Sequence, residues 1–170
     1  LGNTIEAIAA EKAAIIVRGD RAVTGATLRG GALDVVRHRA ARVGAPLRVA
    51  SPGEVEHLGR NGLHVELEGY GVVRVGLLGR HQAVNAAVAA ATIDALREAG
   101  IADVSPDALR SGFAAARWPG RMELIENAFG PASGRDLLLD GAHNPEGAVA
   151  LAEGIDDLGD RLRGTGKTTL

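Results

Sequence analysis

Residues Leu137-Leu138-Leu139-Asp140-Gly141-Ala142-His143-Asn144-Pro145 decide how the rest of the chain is read. The three leucines form a short apolar run bounded by polar residues, the pattern of a strand buried on both faces, as in parallel sheets. We expect that strand over Asp136 to Leu139. Asn144 is a capping residue and Pro145 suits the first position of a helix, so a helix is predicted from about Pro145. The strand would thus deliver Asp140 and His143 into the tight turn ahead of a helix. In open α/β sheets, ligands bind at that place, beyond the carboxyl ends of the strands. A carboxylate there can accept the hydroxyls of a ribose, and a nearby histidine can meet phosphate or substrate. The competing reading is a loop whose Asp and Asn merely satisfy backbone groups.

Upstream, Met122 to Ile125 reads as a further strand, and Trp118-Pro119-Gly120 breaks the pattern as a domain boundary would. Arg121 follows that rigid segment. It is either a guanidinium clamp for a nucleotide phosphate or a surface Arg beside a turn. Ser105-Pro106-Asp107 starts a helix, and Gln82 to Ala99, rich in Ala and ended by Gly100, is the strongest helix of the chain. Gln82 and Asn85 lie three residues apart near its start, hence on one face. Their amides suit an adenine edge, although ordinary capping explains them as well.

Between Pro46 and Leu78 the character changes. Leu47-Val49, His64-Leu67 and Val72-Val75 are short strands, with turns at Asn61-Gly62 and Gly69-Gly71, and together they predict a small antiparallel meander. The N-terminal part returns to alternation of strand and helix. Asn3 or Thr4 caps a helix that ends near Lys12, followed by a strand over Ala13 to Val17 and a turn at Gly19-Asp20. A second short strand covers Arg21 to Thr24, and a helix covers residues 29 to 43 with Gly44 as its C-cap. These lengths argue for an α/β layer structure. Lys12 by itself reads as a lysine that complements the negative end of its helix and extends into water.

Composition narrows the function classes. Of 170 residues, 46% are hydrophobic but only 2% aromatic, so the interior is built from Ala, Val, Leu and Ile. Net charge is −2, from 19 basic and 21 acidic residues that are well mixed, so no basic stripe points to nucleic acid. There is no Cys, which excludes disulfides and thiolate metal sites and fits a reducing compartment. No apolar run reaches the ~20 residues that span a bilayer, and no signal peptide is evident, so a cytoplasmic protein is expected. None of the five His residues shows a metal-ligand spacing, and His38 and His57 read as solvated. The tail Gly164-Thr165-Gly166-Lys167-Thr168-Thr169 imitates a phosphate loop. Arg161 stands where that pattern requires glycine, and the charged segment before it is helical rather than a buried strand, so it is rejected as the ATP site.

In order, these pieces resemble the folylpolyglutamate/dihydrofolate synthase family of the Mur ligase superfamily. Leu1-Gly2-Asn3-Thr4, Ile8-Ala9-Ala10-Glu11-Lys12-Ala13 and Val23-Thr24-Gly25 are similar to its LGxTxxxIAxEKAGI…VVTG signature. Leu78-Gly79-Arg80-His81-Gln82 with Asn85-Ala86 is similar to LxGxHQxxNA, Trp118 to Arg121 to WPGR, and Leu139 to Pro145 to LDGAHNP. The resemblance implies that ATP activates a carboxylate as an acyl phosphate, which the amine of L-glutamate then attacks. The acceptor would be dihydropteroate or a reduced folate, with Mg²⁺ as the metal.

The same resemblance implies residue roles. Lys12 would be carbamylated and support Mg²⁺, Gln82 and Asn85 would lie at the adenine, and Arg121 would bind phosphate. Asp140 would contact the nucleotide, and His143 would lie near the transferred phosphate and glutamate. Residues 1–117 would be the second half of the central ATP-binding domain, a sheet with helices plus the meander, and 118–170 the start of a Rossmann-like glutamate-ligase domain. The family's phosphate loop and its Mg²⁺-binding Ser, Glu and His would precede Leu1, so this stretch alone is expected to be inactive. A monomer is expected for the whole protein. Ala14 departs from the family's glycine. Another amino-acid ligase of the superfamily, or a non-catalytic nucleotide-binding module, is the alternative.

Overall fold

The structure, a computed structural model, describes residues 3–27, 30–132 and 134–159. The phosphate-loop imitation at 164–169 and the first two residues of the N-terminal motif lie outside these. The chain forms two compact units: residues 1–52 with 84–105, and residues 53–83 with 106–170. Trp118, the expected boundary, lies inside the second unit.

In the first unit, α1 (Ile5–Ala13) is capped by Thr4, whose hydroxyl accepts the Ala7 N–H at 3.1 Å. It packs on α2 (Ala32–Val43), which ends at Gly44 in the left-handed conformation, φ +69. Ala13, Ile16 and Ala45 form a small core with Ala22, Val36 and Val43 against it. The strand expected over Ala13–Val17 does not form. Ala14 still bonds back to Ala10 and Glu11, as its high helix propensity favours, and too few residues remain for a strand. Ile15 is 82% exposed, and Arg39 takes the carbonyls of Ile16 (2.9 Å) and Ala14 (3.2 Å).

Strand β1 (Ala22–Gly25) pairs in parallel with β2 (Leu47–Ala50), Ala22 opposite Leu47 and Gly25 opposite Ala50. Parallel neighbours require a crossover, and α2 supplies it. The expectation that Leu47–Val49 belongs to the antiparallel meander is therefore corrected. Helix α3 (His81–Glu98) opens in the second unit and continues through the first, where buried Ala86, Ala87, Ala90 and Ala91 allow close packing. A Cβ at Gly25 would lie 3.0 Å from a Val84 methyl, so glycine suits this contact between strand and helix.

The meander lies in the second unit. Its third strand is β3 (Val55–His57), followed by β4 (Leu63–Leu67) and β5 (Gly71–Val75), paired antiparallel in the order β3-β4-β5. Alternation decides its faces: Leu63, Val65, Leu67, Val73 and Val75 are at most 2% exposed, while His64, Glu66 and Arg74 point the other way. Helix α4 (Pro106–Ala115) packs on β5.

Strand β6 (Glu123–Ile125) pairs with β7 (Leu137–Leu139), and α5 (Pro145–Leu158) follows. The pairing is antiparallel, which corrects the expectation of a buried parallel strand; Leu139 is 39% exposed. A three-residue apolar run signals contact with a core but carries no information on the direction of its neighbour. Leu78, Met122 and Leu158 form the core beneath it, with Leu124, Leu138 and Leu151 packed against them.

Candidate functional site

The turn after β7 is built around Asp140. One of its carboxylate oxygens accepts the Ala142 N–H at 2.7 Å and the other the Met122 N–H at 2.8 Å. The side chain thereby closes its own turn and ties it to the start of β6. Met122 is 2% exposed and sits at φ +45, an uncommon backbone conformation for a residue with a side chain. Its amide is directed to Asp140 in that conformation, so the bond helps to offset the strain.

Two glycines make room at this joint. A Cβ at Gly154 would collide with the Met122 thioether, and a Cβ at Gly79 would lie 2.6 Å from its sulfur. Asn144 caps α5 by accepting the Gly147 N–H at 2.8 Å, with Pro145 in the first turn, as the sequence predicts.

Arg121 reaches the same turn. Its guanidinium lies where a side chain on residue 141 would stand, so glycine at 141 leaves it room, and a larger residue would displace it. His143 is exposed, and its Nδ1 is 2.9 Å from the Gly141 carbonyl oxygen. Arg121, Asp140 and His143 are thus brought together by one turn and the segment before β6. That arrangement offers a cation and an imidazole beside a fixed carboxylate whose two bonds are already made to backbone. Recognition of an anion follows naturally; an acid–base role for Asp140 does not.

Gln82 is buried, and its amide lies 3.0 Å from Nε2 of His81. Asn85, three residues on, is exposed and falls in the first unit. Sequence reasoning passed over His81. The ring is half-buried, and its Nδ1 is a buried polar atom without a hydrogen-bond partner among the described residues. Burial pushes its pKa below the ordinary imidazole range, against the opposing attraction of Asp140 and Glu153. Only its place in the Leu78–Gln82 motif hinted at importance.

Lys12, in the last turn of α1, is an exposed side chain at the wall of a cavity of about 690 Å³ in the first unit, shared with Ala9, Asp20, Thr24, Leu96 and Ala99. Among the described residues, no group of three or more His, Asp or Glu side chains is arranged to hold a metal ion. These residues therefore do not by themselves make up a Mg²⁺ site.

Two ion-pair networks also escaped the sequence reading. Arg60, between β3 and β4, bonds both Glu126 and Asp136, and the Asp136 carboxylate is 2% exposed. Asp136 also accepts the Asn127 N–H at 3.1 Å, so it ties the meander to the β6–β7 hairpin. Arg80 pairs with Asp157, whose pKa is held below the usual carboxylate range chiefly by that bond. His57, expected to be solvated, is 3.5 Å from Asp157 and only 31% exposed in its side chain. The arginine pairs among them join residues 66 to 77 positions apart, which no local pattern reveals.

No family model matches the chain. The dihydrofolate synthase/folylpolyglutamate synthase of Bacillus subtilis is 41% identical over 160 residues, 90% of this chain and 36% of that protein. The folylpolyglutamate synthase of Lacticaseibacillus casei is 33% identical over 165 residues, 93% of this chain and 37% of that protein. Among solved structures, folylpolyglutamate synthetase from Lactobacillus casei matches with a TM-score of 0.78 at 30% identity, over 94% of this chain and 41% of that one. An FPGS–AMPPCP–folate complex matches at 0.81 and 32% identity, over 94% and 39%. The chain spans a little over a third of the length of these two curated relatives. Among its described residues, no helix is long and apolar enough to cross a membrane.

Proposed function

We propose, starting from a chain whose family is that of the dihydrofolate synthase/folylpolyglutamate synthases, that the protein containing it joins L-glutamate to dihydropteroate or a reduced folate. ATP activates the acceptor carboxylate as an acyl phosphate, the glutamate amine displaces phosphate, and Mg²⁺ accompanies the nucleotide. The relative solved with AMPPCP and folate supports both ligand classes. The observation that carries the reading is the joint at residues 121–143: a guanidinium laid against Gly141 beside a carboxylate locked by two backbone N–H groups.

In this reading Arg121 takes a nucleotide phosphate, where its planar fork suits two oxygens at once. Asp140 acts chiefly as the brace of the turn, and His143 stands exposed toward the transferred group and the incoming glutamate. Asn85 and Gln82 serve the adenine end, Gln82 through its hold on His81. Lys12 acts as a carbamate that supports Mg²⁺, with the other metal ligands supplied from beyond this stretch. Residues 1–117 then belong to the ATP-binding domain and 118–170 to the glutamate-ligase domain of a monomeric cytoplasmic enzyme. The relatives reported above do not favour a cell-wall ligase or a non-catalytic module.

The test uses the full-length protein with ATP, Mg²⁺ and radiolabelled glutamate. Label is expected in dihydropteroate, tetrahydrofolate or both, and which of them is labelled separates the two activities. No label in either acceptor would remove the ligase reading.

A further inference from the structure

A second cavity, of about 270 Å³ and wholly within the second unit, is bounded by Arg74, Gly76, Arg117, Trp118, Arg121 and Glu123, with Arg60 also contributing. Its charge is unbalanced. Among the described residues, Arg74, Arg117 and Arg121 have no carboxylate partner. Arg74 bonds only the Asn61 carbonyl, at 3.4 Å, and Arg117 only the carbonyls of Ala116 (2.7 Å) and Ala114 (3.3 Å). Glu123 is the one acidic group in the lining, and one of its oxygens is engaged by the Gly120 N–H at 2.8 Å. Arg60 is already compensated by Glu126 and Asp136.

Arg117 is also seated. A Cβ at residue 76 would collide first with the Ala114 carbonyl oxygen and would also lie 2.5 Å from Nη1 of Arg117, so the glycine that the backbone needs there also leaves the guanidinium room. Arg121 has the same relation to Gly141. Two guanidinia, each admitted by a glycine and neither neutralised, face one small cavity. Its volume is below the ~300 Å³ at which pockets for whole organic ligands begin, so it suits one compact group.

We propose that this cavity is a binding site for a compact, multiply charged oxyanion, with Arg74 and Arg117 as its recognition residues beyond the nucleotide role given to Arg121. Guanidinium forks bind phosphate and carboxylate oxygens in pairs, and the shared chemistry admits either an inorganic phosphate or a small dicarboxylate. Trp118, 66% exposed at the rim, is the one tryptophan of the sequence given and sits beside the anion. The site does not depend on the ligase reading, because the anion is bound without ATP or turnover.

The experiment is calorimetric titration of the full-length protein at low ionic strength, with inorganic phosphate in one arm and malonate in the other. The arm that binds identifies the source. In that arm the Arg74→Gln, Arg117→Gln double variant is expected to bind at least tenfold more weakly. Arg117→Lys, which keeps the charge but loses the fork, should fall between. Thermal unfolding of each variant verifies that it is folded. Binding of neither anion by the wild type, or affinity unchanged in a folded double variant, overturns the proposal. Ligase activity measured on the same samples is a separate outcome, so the two readings fail independently.

Discussion

The turn at Asp140 and the helix end at Lys12 are assigned to the same reaction, yet the molecule holds them very differently. Asp140 is fixed by two backbone N–H groups, one of them that of the buried Met122, and glycine at the next position leaves room for Arg121. Lys12 is exposed in the last turn of an ordinary helix. At the turn, local chemistry already argues for function, because several independent constraints converge on one carboxylate. At the helix end the same chemistry argues for nothing, and the assignment rests on the order of motifs and on the relatives. A role that depends on covalent modification, as proposed for Lys12, would leave little trace in the contacts of the unmodified side chain.

Three experiments on the full-length protein press on this contrast. Lys12→Ala should abolish ligation while leaving stability within about 0.5 kcal/mol of wild type, since the side chain is exposed. A short-chain carboxylate should restore part of the activity. Wild-type turnover in the variant would remove Lys12 from the site and reduce the contrast to a single functional turn.

Asp140→Ala should act on both properties at once. It strips the acceptor from the N–H of Met122, a residue only 2% exposed, and releases the Ala142 N–H, costing about 1–3 kcal/mol. Ligation should fall at least 100-fold. Chemical denaturation and the glutamate assay report the two effects, and a variant with lost activity but unchanged stability would contradict the bracing role.

The smallest effect concerns His81. Its folded-state pKa lies below its unfolded value near 6.5, so between the two the unfolded chain binds more protons. Stability should therefore be complete above about pH 6.5 and decline as pH falls below it. His81→Gln should flatten that part of the denaturation profile. An unchanged slope would mean that His81 does not resist protonation in the folded state.

Local signals were legible in the sequence. Thr4 and Asn144 cap their helices through their own side chains, and Gly44 and Gly100 end theirs with positive φ. The turn that carries Asp140 was recognisable because strand, turn and cap residues follow one another directly. Pairing was not legible. Leu47–Ala50 carries the same apolar signal whether it joins a meander or lies parallel to β1, and the choice depends on α2 as crossover. Val55–His57 is too short to announce a strand, yet it completes the meander. Arg60 and Asp136 are 76 residues apart, and His81 became notable only when its surroundings showed an unpartnered nitrogen. Site residues were readable where the backbone marked them and obscure where tertiary burial did.

Met122 carries the only sulfur atom of the given sequence, which contains one Met and no Cys. That atom lies at the joint where Gly79, Gly154 and the β6 start meet, shielded to 2% exposure. A thioether becomes a polar sulfoxide on oxidation, and the apolar joint around Leu78 and Leu158 has no room or partner for one. Within this stretch, the rate at which peroxide reaches the thioether is therefore a clock for the opening of the joint beneath Asp140, readable by mass spectrometry without any added label.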